Sequence, residues 1–118
     1  MALLITHDGK TKQVKPRSKK EGFHLPQLYK LLGCQMIKKV DIGSNKGTER
    51  LLADIGAEGC TQMIIDKEGK LRSDRAERYN LIATDIWSET HTTNNFHLLA
   101  TGDEITGDVL LCTPEEFQ

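Results

Sequence analysis

Apolar positions along this chain fall in short runs separated by polar segments that carry glycine or proline. Residues 2–6 form an apolar run that predicts a strand. The His-Asp-Gly-Lys that follows at 7–10 predicts a hairpin turn, because Asp-Gly accepts the positive φ such turns need. Residues 11–15 alternate around Val14 and predict the returning strand. Residues 16–22 hold Pro, Ser and Gly without a hydrophobic period and read as a loop. The spacing then becomes helical over 23–33, where Leu25, Leu28, Leu31 and Leu32 share one face. Pro26 suits the first turn, where its missing N–H is no loss, and Gly33 stops the helix.

Residues 34–42 predict a strand with Met36 and Val40 on one face, and 43–48 a polar loop. Residues 49–55 fit a helical turn through Leu51, Leu52 and Ile55, but their length is that of a strand. After a glycine break at 56–59, residues 60–65 predict a strand with Met63 and Ile65 facing one way. A turn at 66–70 leads to a short return strand beginning at Leu71. A helix occupies part of 74–87, with Asp74 and Glu77 as a capping pair or Asn80 as the N-cap. Its apolar stripe is Ala76, Tyr79, Ile82, Ala83, Ile86 and Trp87. Residues 88–95 read as an exposed loop, 96–100 as a strand, 101–107 as a turn and 108–112 as a closing strand before a polar tail. The expectation is an α+β fold: one compact domain over residues 1–118, with a small, mostly antiparallel sheet of five or six strands and two helices packed on one face. The expected core includes Leu4, Val14, Leu28, Leu32, Ile37, Ile65, Ile82, Ile86, Val109 and Leu111.

Composition agrees with a globular chain: 118 residues, 37% hydrophobic and 28% charged, where disorder would need fewer apolar residues and a larger net charge. The longest wholly apolar run, residues 1–5, is too short for a membrane span or a secretory signal, so a cytoplasmic protein without membrane contact is expected. The net charge of −1 changes meaning when the chain is divided. Residues 1–50 carry 11 basic and 4 acidic side chains, a balance of +7, and residues 51–118 carry 5 and 13, a balance of −8. The densest basic stretch is Lys10, Lys12, Lys15, Arg17, Lys19 and Lys20, flanked by Asp8 and Glu21. Such a cluster binds anions, or it is a solvated turn whose lysines keep a sheet edge soluble.

Three cysteines, Cys34, Cys60 and Cys112, are odd in number and widely spaced, which argues against a disulfide framework and for a reducing compartment. No Cys-x-x-Cys or close His pair aims two ligands at one ion, so no metal or other cofactor is expected. P-loop, dinucleotide-binding and zinc-protease motifs are absent from the sequence.

Four segments in order resemble an uncharacterised family of short proteins, common in phage and plasmid genomes and catalogued as a domain of unknown function. They are Phe-His-Leu-Pro-Gln-Leu-Tyr-Lys-Leu-Leu-Gly at 23–33, Asp-Lys-Glu-Gly-Lys-Leu at 66–71, Asn-Leu-Ile-Ala-Thr at 80–84 and Gly-Asp-Glu-Ile-Thr-Gly-Asp-Val-Leu-Leu at 102–111. Residues 44–59 and 88–95 depart from the pattern. The resemblance carries no catalytic residues; it implies an accessory protein of a virus or mobile element in a bacterial cytoplasm. It also draws attention to Asn80 and Thr84, whose ordinary roles are an N-cap and a packed first-turn residue.

The reading that joins these features is a non-enzymatic accessory protein binding an anionic ligand, in first place a nucleotide, including a host defence signal, and alternatively a nucleic acid. Lys12, Lys15, Arg17, Lys19 and Lys20 would hold phosphates, and Trp87 would stack a base, with Tyr79 and Phe96 as other aromatic candidates. Asn80, Thr84 and His91 are secondary candidates. The alternative is a protein-interaction module or nucleic-acid mimic acting through Asp103, Glu104, Asp108, Glu115 and Glu116. Self-assembly into a homo-oligomer through open sheet edges is also expected. An enzyme would draw on His24, His91, His97, Asp66 or Asp85, which no spacing motif brings together.

Overall fold

A computed structural model describes residues 2–15, 22–42, 46–68, 77–91 and 105–117. The elements run β1 (Ala2–Ile5), β2 (Thr11–Val14), α1 (Leu25–Leu32), β3 (Ile37–Asp41), α2 (Lys46–Asp54), β4 (Gln62–Asp66), α3 (Leu81–His91) and β5 (Val109–Cys112). The five strands form one open antiparallel sheet in the order β2-β1-β5-β4-β3. The α+β class and the antiparallel sheet are as the sequence pattern predicts. The described residues form three helices, not two on one face, and these lie on both faces of the sheet.

Strand alternation decides which side chain meets which helix. Leu3 and Ile5 of β1, Met63 of β4, and Val109 and Leu111 of β5 face α2 and α3, packing with Leu52, Ala83 and Ile86. Ala2 of β1, Ile64 of β4, and Leu110 and Cys112 of β5 face the other way, against Leu28 and Leu32 of α1 and against Phe23. All four residues of β5 are buried, because the strand is central and both its faces are covered. The expected core residues Leu28, Leu32, Ile86, Val109 and Leu111 are buried. Leu4, Val14, Ile37, Ile65 and Ile82 are half-buried and pack against the two clusters.

Helix α1 starts with Pro26 in its first turn and ends at Gly33, whose φ of 62° and ψ of 39° place it in the left-handed region. The Cys34 N–H closes that end by donating to the Tyr29 carbonyl at 3.1 Å. Helix α2 begins at Lys46, inside the segment expected to be a loop. There it packs so closely on α3 that a Cβ at Gly47 would overlap the Glu89 carboxylate. Helix α3 starts after Asn80, not at Asp74, and continues through Ser88 to His91, where a loop is expected. Strand β3 is shorter than the expected 34–42, leaving Met36 outside it and exposed. The expected return strand from Leu71, the capping residue Asp74 and the strand at 96–100 lie outside the described residues.

Candidate functional site

The hairpin β1–β2 places Lys12 opposite Leu4, on the α1 face of the sheet with Leu4 and Val14. Lys12, and Lys15 just after β2, are exposed. Among the described residues two ion pairs form, His7 with Asp108 and Lys10 with Asp8, and neither involves Lys12 or Lys15. The Lys15 carbonyl accepts a hydrogen bond from Gln27 Nε2 at 3.1 Å, which fastens the end of β2 to α1. The chain is fastened again at Gly22 and Phe23. Gly22 forms an antiparallel bridge with Phe117, and the Phe23 N–H donates to the Glu116 carbonyl at 2.6 Å. The basic stretch is therefore held at both ends on the α1 side. Arg17, Lys19 and Lys20 themselves lie outside the described residues.

Trp87 sits on α3, half-buried against the core cluster on the α2 and α3 face. The sheet separates it from Lys12, so the structure does not bring together the aromatic and the lysine expected to share a ligand. The physical cause is the α3 stripe: Ala83 and Ile86 turn toward Ile5, Val109 and Leu111, and Trp87 follows them. His91 is the last residue of α3, and its side chain lies outside the described set.

Asn80 and Thr84 are committed to the fold. Asn80 is buried, its Oδ1 accepting from the Ala83 N–H at 3.0 Å, as an N-cap does. Its Nδ2 donates to the Ile5 carbonyl at 3.1 Å and to the Gly107 carbonyl at 2.9 Å. Thr84 Oγ1 accepts from the Ile105 N–H at 2.9 Å and donates to the Ile105 carbonyl at 3.3 Å. The two side chains lock α3 to the end of β1 and to the segment that enters β5. No polar atom of either is left over for a ligand.

The candidate acid–base groups are dispersed. His24 is the exposed residue before α1 on one face of the sheet, while Asp85 is exposed on α3 on the other. Asp66 is buried at the end of β4, its Oδ1 accepting from the Glu68 N–H at 2.9 Å. His97 lies outside the described residues. No group of three or more His, Cys, Asp or Glu among the described residues is placed to hold a metal ion. The three cysteines are buried, and none is in a disulfide. Burial pushes the Cys112 thiol up to about 12, with the Glu116 carboxylate adding to the effect; burial also raises Cys60.

One juxtaposition escapes any reading of spacing, because its members are 101 residues apart. Asp108, just before β5, accepts from the His7 N–H at 3.0 Å and also meets His7 Nδ1 at 2.9 Å. His7 begins the β1–β2 turn, where Thr6 Oγ1 donates to Asp8 Oδ1 and accepts from the Lys10 N–H at 3.0 Å. The Thr6 hydrogen bond holds the Asp8 carboxyl below the usual carboxylate range, and Lys10 adds to this.

Beyond the other face of the sheet, Glu49 and Asp54 of α2, Glu58 in the turn after it and Asp85 of α3 are exposed carboxylates, with Lys46 and Arg50 among them. Glu49, Leu52, Ala53, Glu58 and Gly59 line a depression of about 350 Å³. No helix among the described residues is long and apolar enough to cross a membrane. No protein family, curated protein or solved structure matches the chain.

Proposed function

We propose that this protein is a non-enzymatic accessory protein of the phage type, acting in a bacterial cytoplasm, that binds an anionic ligand, a nucleotide in first place, along the β2 edge. The observation that carries the reading is the state of Lys12 and Lys15. Both are exposed on or beside an edge strand, Lys12 on the α1 face and Lys15 tied to α1 through its carbonyl, and no described carboxylate neutralises them. Arg17, Lys19 and Lys20 follow directly in the chain, so the local cation density is high whatever their detailed arrangement. Phosphate oxygens suit such a surface because charge-assisted hydrogen bonds are the stronger ones. Sequestration of a host signalling nucleotide is the biological role this reading favours.

Calorimetry against linear and cyclic nucleotides tests it. Binding of at least one nucleotide is expected, weakened about tenfold or more in a K12Q/K15Q double variant, since each tenfold corresponds to about 1.4 kcal/mol. Both lysines are exposed, so the variant should keep its fold. No heat with any nucleotide, together with no duplex binding at low salt, contradicts the reading.

The exposed carboxylates Glu49 and Glu58, which line the depression formed by α2 and the turn after it, favour a second reading, a module that docks on a basic host protein. Substitution of Glu49 and Glu58 by Gln would then abolish capture of a basic partner and leave nucleotide binding intact.

A further inference from the structure

The corner of the sheet where β1 ends and β5 begins gathers a second set of groups, independent of the Lys12–Lys15 edge. Asp108 Oδ1 holds both the backbone and the ring of His7. A carboxylate on Nδ1 favours a proton there, which directs Nε2 away from Asp108. His7 remains exposed, with 37% of its side chain accessible, so that outward nitrogen can meet a ligand. Arg78 stands beside this pair. Its carbonyl accepts from the Gly107 N–H at 2.6 Å, and its Nη2 lies 3.0 Å from where a Cβ on Gly107 would be. The guanidinium thus packs over the residue that precedes Asp108. It is only partly exposed, and it makes no ion pair with a described residue. Among the described residues, the turn adds Lys10 and Asp8, which pair with each other at 3.9 Å, and the exposed Glu77 precedes Arg78 in the chain.

We infer that His7, oriented by Asp108, and Arg78 form an oxyanion site that takes a phosphate group. Arg78 supplies a planar fork of donors, and the imidazolium form of His7, its ring held in place by Asp108, supplies one more through Nε2. Gly107 matters to this geometry because it leaves room for the guanidinium beside the pair. Lys15 follows the end of β2 next to the start of β1, whereas His7 follows the end of β1. A four-residue strand spans about 13 Å, so one phosphate cannot touch both places.

The test is titration of the full chain with inorganic phosphate, followed by the ¹⁵N resonances of the histidine rings. The expected result is saturable movement of the His7 Nε2 signal, with an apparent Kd on the order of 1 mM. R78Q should weaken the response about tenfold or more, R78K should restore part of it, and K12Q/K15Q should leave it unchanged. Loss of the K12Q/K15Q edge binding with His7 still responding separates the two sites. A His7 signal that phosphate does not move, or that moves equally in R78Q, overturns the inference. The wild-type titration decides this even if a variant fails to fold.

Discussion

Asn80 makes three hydrogen bonds from one buried carboxamide, two as donor and one as acceptor. Asn80→Ala removes the cap and strands two carbonyls, and should cost about 2–4 kcal/mol in denaturant unfolding. Asn80→Asp is the sharper probe. It keeps the N-cap acceptor but turns a carboxylate toward the Ile5 and Gly107 carbonyls, so it should be at least as damaging as Asn80→Ala, although Asp is normally as good a cap as Asn. If Asn80→Asp proves near-neutral, the two donor bonds are not what holds α3. The cysteines give a second test at this scale. The Cys112 thiol is raised from an ordinary 9.0 to about 12 by burial, so the unfolded chain loses that proton first as pH rises. Stability from this group is therefore full below pH 9 and declines from there toward about 12. Thiol reagents at neutral pH should leave all three cysteines unmodified in the native protein and modify all three after unfolding.

Among the elements, α1 and the C-terminal turn show how little sequence separates two different glycines. At Gly33 the φ of 62° is the only demand, since no atom lies within 4 Å of a Cβ there. At Gly22 the φ is 77° and a Cβ would run into the Glu116 carbonyl. Gly33→Ala should cost about 1–2 kcal/mol, from the left-handed backbone alone. Gly22→Ala should cost clearly more, because the bridge to Phe117 must also open, and a thermal-unfolding comparison of the two variants ranks them. Equal losses would mean that the bridge contributes nothing. Helix α1 was legible because proline, four leucines and a terminal glycine all agreed, and Asn80 was legible as one of two N-caps. Helix α2 was not, since Lys46, Gly47 and Thr48 have loop-like composition and become helical through packing: Thr48 is buried, and Gly47 admits the Glu89 side chain. The extension of α3 to His91 overrode a polar run for which local propensity offers little. The helix count and the two-sided layering depended on those two elements.

Across the molecule, the charge division along the chain becomes a division between faces only in part. Lys12, Lys30 and Lys39 lie toward the α1 side, and Glu49, Asp54, Glu58 and Asp85 toward α2 and α3. The C-terminal turn nevertheless carries Glu115 and Glu116 to the end of the basic stretch, through the Glu116 carbonyl. Lysines at both sheet edges, Lys12 on β2 and Lys38 and Lys39 on β3, oppose edge-to-edge pairing of copies. The sequence made the basic cluster visible. It could not show that Trp87 lies across the sheet, nor that His7 meets Asp108, because both facts depend on strand order.

Amide chemical-shift mapping with a nucleotide selected by calorimetry tests the central claim most directly. Saturable shifts that include Thr11, Lys12, Gln13, Val14, Lys15 and the neighbouring start of α1, and that are lost there in K12Q/K15Q, are the predicted result. Shifts confined to α2 and α3, or none at all, would contradict an anion-binding β2 edge.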